Sequence, residues 1–113
     1  MIWPGTRILV VDDEPVSRLI TETVLTGQGF VVRSAESAEQ AFAQLAEGFS
    51  PSLILLDVVM PGMSGTEAMQ ILHRDPSTAH IPVVALSANA IPSDIERVAA
   101  KARYQSARRK TSF

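Results

Sequence analysis

The chain has 113 residues, enough for one domain and not two, and its 46% hydrophobic and 19% charged residues exclude an intrinsically disordered protein. Net charge is only −2 and there is no cysteine, which excludes disulfides, thiolate zinc sites and cysteine nucleophiles. No apolar run approaches the ~18 residues of a membrane span, and Met1-Ile2-Trp3-Pro4-Gly5 shows neither a basic n-region nor a long apolar h-region, so a cytoplasmic location without membrane contact is expected.

Residues 7–11 (RILVV) are β-branched and apolar and end in Asp12-Asp13-Glu14-Pro15, which reads as a buried strand running into a helix start. Pro15 suits a first helical turn, and Asp13 or Glu14 can accept the free N–H groups there. Val16, Leu19, Ile20 and Val24 follow at helical spacing and predict a first helix, which Gly27 and Gly29 end. Residues 30–33 predict a second strand. Ser37 then caps a helix whose Ala38, Ala41, Phe42, Leu45 and Ala46 form one apolar stripe, broken by Gly48 and Pro51. Residues 53–56 predict a third buried strand ending in Asp57, and a loop with Pro61, Gly62 and Gly65 follows. Residues 66–74 predict a third helix, residues 82–86 a fourth strand ending in Ser87, and Pro92 opens a fourth helix with Ile95, Val98, Ala99 and Ala102 on one side. Beyond Ala102 the pattern stops.

Continuously apolar strands alternating with amphipathic helices imply an α/β fold, a parallel sheet covered on both faces. Residues 1–102 form the expected core and residues 103–113 a basic, flexible tail. The charge divides at nearly the same place. Residues 1–100 hold all 12 acidic but only 5 of the 10 basic side chains; residues 101–113 hold the other 5 basic ones. The acidic body argues against nucleic acid as the main partner.

In open α/β sheets functional groups gather beyond the carboxyl ends of the strands, near the point where strand order reverses. Three predicted strands end in polar residues there: Asp12 and Asp13, Asp57, and Ser87. Clustered carboxylates repel, and a divalent cation relieves the repulsion. Oxygen ligands without nearby His or Cys fit Mg2+. An Asp beside such an ion is a plausible nucleophile towards phosphorus. Each feature alone has a plainer reading. Residues 12–15 make an adequate helix cap, Asp57 could be a turn residue, and Ser87 an ordinary strand-end serine. The conjunction at three strand ends carries the functional reading. His73 and His80 read as solvated surface residues, and Met60, Met63 and Met69 as packing residues.

ILVVDDEP at residues 8–15, LILLDVVMPGMSG at residues 53–65 and PVVALSANA at residues 82–90 resemble the three motif blocks of bacterial two-component response-regulator receiver domains, and the last is similar to receivers of hybrid sensor kinases. The resemblance covers roughly residues 6–100 and implies a doubly wound, flavodoxin-like sheet of order 2-1-3-4-5. It implies Asp57 as phosphoacceptor. Asp12 and Asp13 would hold Mg2+ together with Asp57 and the backbone carbonyl of Val59, and Ser87 would hydrogen-bond a phosphoryl oxygen. The implied partner is a histidine kinase or a histidine phosphotransfer domain, and the implied chemistry is phosphorylation of the protein's own Asp, not turnover of a separate substrate.

The resemblance breaks down in the last unit. The family's phosphoryl-contacting lysine falls on Arg109, with Lys110 beside it and no proline following, and the switch aromatic position falls on Ser106. The fifth βα unit thus reads as missing or degenerate, whether by truncation, a shifted reading frame or natural divergence. On that reading an uncovered sheet face invites self-association and lowers stability. The departure also supports an alternative, a phosphorylation-independent pseudo-receiver acting as a protein-interaction module. A hydrolase using Asp57 is the weaker third reading, because Val59 stands where a general acid would be needed.

Overall fold

The computed structural model of the chain describes residues 6–57, 65–86 and 96–97. Strands and helices alternate along it: β1 (Arg7–Val11), α1 (Pro15–Gly27), β2 (Val31–Ala35), α2 (Ala38–Ala46), β3 (Leu53–Asp57), α3 (Gly65–Arg74) and β4 (Val83–Leu86). The helix expected from Pro92 falls outside the described residues except for Glu96 and Arg97, which are helical and exposed. The tail and the fifth βα unit also lie outside them.

The strands form one parallel sheet of order β2-β1-β3-β4, as the resemblance implies. β1 is central. Its Ile8 pairs with Val32 and Leu53, and its Val11 with Ala35 and Leu56. Strand periodicity then sorts the apolar side chains onto two faces. Leu9, Val11, Ile54 and Leu56 pack with Ala38, Ala41, Ala68 and Leu72 beneath α2 and α3. Ile8, Val10, Leu53 and Leu55 pack with Leu25 and Phe30 beneath α1. Burial on both faces explains why β1 and β3 read as unbroken apolar runs rather than alternating ones.

The helix termini use the expected residues. Ser37 caps α2, its hydroxyl accepting the Gln40 N–H at 3.2 Å. Gly29 (φ +94°) and Gly48 (φ +107°) close α1 and α2 in a conformation costly for side-chain-bearing residues. At the far end of α3, the Asp75 carboxylate accepts from the Ser77 N–H at 2.9 Å and the Ser77 hydroxyl at 2.8 Å. These bonds hold its carboxyl below the ordinary aspartate value. The open side of β2 is partly covered, because the Gln44 side-chain amide donates to the Ser34 carbonyl at 2.8 Å.

One expectation needs correction. β2 runs from Val31 to Ala35, not over residues 30–33. Phe30 belongs to the turn that ends α1, its N–H donating to the Leu25 carbonyl at 3.3 Å. Ser34 and Ala35, not apolar enough to read as strand, are held in it by pairing with Val10 and Val11. The buried face of α1 is only partly the one its apolar spacing marks out. Val16, Leu19 and Ile20 are 64%, 62% and 44% exposed, whereas Thr21 and Leu25 are buried. The apolar set meets the core only at its C-terminal end, where Val24 packs against the cluster of Leu25 and Phe30. Burying Thr21 is inexpensive because its hydroxyl donates to the Ser17 carbonyl at 3.1 Å.

The rotation of α1 is testable by urea unfolding. Leu25→Ala, at 0% exposure, is expected to cost about 2–5 kcal/mol. Leu19→Ala, on the exposed side of the same helix, is expected to cost about 0.5 kcal/mol or less. Equal losses, or the reverse order, would mean that α1 presents its other face.

Candidate functional site

The site follows from the strand order. The chain moves from β1 to β2 on one side and returns to β3 on the other, so the reversal lies between β1 and β3. Parallel pairing of Val11 with Leu56 sets the next residues, Asp12 and Asp57, side by side at the carboxyl edge of the sheet, where Asp57 is the last residue of β3. Both are buried, each 8% exposed, and Asp13 is half-buried. One carboxylate oxygen from each of Asp12, Asp13 and Asp57 lies within 4.8 Å of the other two.

The string from residue 12 to residue 15 divides its labour. Glu14 takes the capping role, its carboxylate accepting the Val16 N–H at 2.9 Å beside Pro15 in the first turn. That leaves Asp12 and Asp13 for the site. Asp12 is held at three points. Its N–H donates to the Ala35 carbonyl at 3.0 Å, its Oδ1 accepts the Glu14 N–H at 3.0 Å, and its carbonyl accepts from Arg18 Nη1 at 2.8 Å. The second Arg18 nitrogen lies 3.6 Å from Glu36 Oε1. Thus β2, through Ala35, and α1, through Arg18, meet at Asp12, and Arg18 links on to Glu36 in the loop after β2.

Three converging carboxylates with only oxygen donors fit a hard divalent cation such as Mg2+, which is held by one or two carboxylates and keeps several waters. The same cluster sets a candidate nucleophile, Asp57, beside the ion position. Of the expected site residues, Asp12, Asp13 and Asp57 are brought together. Val59, Ser87, Arg109 and Lys110 lie outside the described residues. His73 and His80 are exposed, and Met69 packs against the core beneath α2 and α3. Arg18 escaped the sequence reading. It lies six residues from its acceptor, and helical periodicity offers no sign that a cation at that spacing turns back towards the strand end.

Residues 8–106 match the family described as the response regulator receiver domain. Among curated relatives, the response regulator PleD of Caulobacter vibrioides is 44% identical over 84 residues, a stretch covering 74% of this chain and 18% of PleD. PilH of Pseudomonas aeruginosa is 38% identical over 78 residues, covering 69% of this chain and 64% of PilH. The chain therefore spans less than a fifth of PleD, which carries much sequence beyond the shared region. Among solved structures, the chemotaxis response regulator CheY4 of Vibrio cholerae superposes with a TM-score of 0.78 over 87% of this chain and 98% of its own. At 19% identity that likeness speaks to the fold alone. No helix among the described residues is long and apolar enough to cross a membrane.

The geometry separates the two neighbouring acids. Asp12 Oδ1 already accepts a backbone N–H, whereas Asp13 is more open to solvent. Asp13→Ala is therefore expected to weaken Mg2+ binding more than Asp12→Ala in a calorimetric titration. Without metal, Asp13→Ala is expected to raise stability by up to about 1 kcal/mol by relieving repulsion. Asp12→Ala forfeits the bond to Glu14, which offsets any such gain. Unchanged Mg2+ affinity in both variants would remove these residues from the site.

Proposed function

This chain belongs to the response regulator receiver domain family, and from that premise we propose that it is a phosphoacceptor module of a two-component phosphorelay, modified on Asp57. The observation that carries the reading is the meeting of a buried Asp57 with Asp12 and Asp13 at the point where strand order reverses. The donor is a phosphohistidine on a histidine kinase or a histidine phosphotransfer domain, and transfer takes place in the cytoplasm.

In the proposed step a carboxylate oxygen of Asp57 attacks phosphorus in line. The new O–P bond forms as the N–P bond of the phosphohistidine breaks, and the imidazole departs with the bonding electron pair. The product is an acyl phosphate on Asp57, which reports to a partner and then hydrolyses. Asp12 and Asp13 would hold Mg2+ with Asp57 and the Val59 carbonyl. When bound, the ion supplies positive charge against the phosphoryl oxygens. Ser87 is assigned a hydrogen bond to one of those oxygens, and Arg109 or Lys110 the contact that a lysine makes elsewhere in the family. Asp57 itself needs little motion: it ends β3, a strand buried along its whole length, so the nucleophile stands on a rigid element.

The departure from the family's pattern at Ser106 and Arg109 favours a second reading, a pseudo-receiver that binds partners without being phosphorylated. Beryllofluoride with Mg2+ separates the two readings. Changed amide resonances around Asp57 and Ser87 support the phosphoacceptor, and an unchanged spectrum supports the interaction module.

Incubation with acetyl phosphate and Mg2+, followed by mass spectrometry, tests the acceptor directly. One phosphoryl group is expected on the parent chain and none on Asp57→Asn, whose side chain is isosteric and leaves the fold intact. Label that persists in the variant and maps to Ser87 or a histidine would refute the assignment.

A further inference from the structure

We propose that Arg18 is the positioning residue that sets the Mg2+ affinity of the Asp12, Asp13 and Asp57 cluster, acting through the backbone carbonyl of Asp12. The inference rests on the reading of that cluster as a Mg2+ site.

Two of the three bonds that fix Asp12 are backbone N–H donations, one to β2 and one from Glu14. The third is the charge-assisted bond from Arg18 Nη1 to the Asp12 carbonyl at 2.8 Å, made by a side chain only 16% exposed. The peptide unit is planar, so fixing the Asp12 carbonyl also fixes the direction in which the chain enters Asp13. Arg18 therefore orients the half-buried Asp13 carboxylate as well, without a bond to it. A side chain lacking these donors leaves the carbonyl unpartnered at a partly buried strand end and the peptide plane free to turn. Glu36 meets the other nitrogen at 3.6 Å while 64% exposed, a long and solvated contact that contributes little.

Electrostatics and positioning make opposite predictions here. A positive guanidinium next to a cation site opposes the cation, so removing its charge would tighten Mg2+ binding if Coulomb repulsion decided the outcome. If positioning decides, the same removal loosens it.

The test is a Mg2+ titration of the full chain, followed by amide NMR shifts and accompanied by melting curves without metal. Arg18→Met is expected to bind Mg2+ more weakly by on the order of tenfold, as loss of support around a metal ligand typically does. Arg18→Lys keeps the charge and one donor at a time and is expected to fall between Met and the parent. Glu36→Gln is expected to stay within about twofold of the parent. Arg18→Met binding Mg2+ as tightly as the parent, or more tightly, overturns the inference and leaves the metal site standing, even if its melting temperature falls. A parent chain that binds no Mg2+ overturns the site and the inference together. Should Arg18→Met fail to fold, the parent decides. Its Arg18 guanidinium N–H resonances are expected to follow the same saturation curve as the Asp13 amide, and resonances that do not move overturn the proposal.

Discussion

The pairing of β1 with both β2 and β3 is the constraint from which the rest of the molecule follows. β1 is flanked by a strand on each edge and covered by helices on both faces, and Ile8, Leu9, Val10 and Val11 are all at 2% exposure or less. The same pairing sets β1 and β3 in parallel register, so that Asp12 and Asp57 lie together at the carboxyl edge of the sheet. Bringing like charges together costs free energy. The cost falls at the ends of the two most deeply buried strands, where the apolar core beneath each face holds the backbone in place. The acids cannot relax apart without disturbing the ladder behind them.

Much of this was legible in the chain. Apolar runs at residues 7–11 and 53–56, each followed directly by an acid, indicate buried parallel strands and the edge where their ends meet. The grouping of Asp12, Asp13 and Asp57 agrees with that reading, and the order β2-β1-β3-β4 with the one that the family resemblance implies. The rotation of α1 was not legible. Val16, Leu19 and Ile20 look like an apolar face, yet Thr21, Val24 and Leu25 are the residues that meet the core. Periodicity reports which faces a helix could bury, not which one it does. The limits of β2 were hidden for a related reason: Ser34 and Ala35 are strand residues through their partners' hydrogen bonds and not through their own character.

Residues 12–15 show how a short acidic string can serve both architecture and chemistry. Taken alone, the string is a sufficient helix cap, and half of that reading is right. Glu14 and Pro15 start α1, and in doing so they direct the helix so that Arg18 returns to the strand end. Asp12 and Asp13 are released from capping because Glu14 performs it. Residue type alone does not say which acid does which, since all can accept a backbone N–H; the family resemblance points to Asp12 and Asp13 for the ion, and the physical difference comes from where each lies relative to the end of β1.

The central place of β1 has a consequence for how the chain is made. β1 is made before both of its neighbours: β2 follows after a single helix, but the other neighbour is β3. Until synthesis has passed Asp57, one edge of β1 has no strand to pair with. Domains begin to fold during synthesis from the N-terminus, so the nascent β1–α1–β2 unit must remain soluble with half of its central ladder open. Non-local parallel pairing is slow to form for the same reason. Delivery of β3 is therefore the step that both completes the sheet and assembles the acidic cluster, so the site cannot exist on a nascent chain that has not yet closed its core.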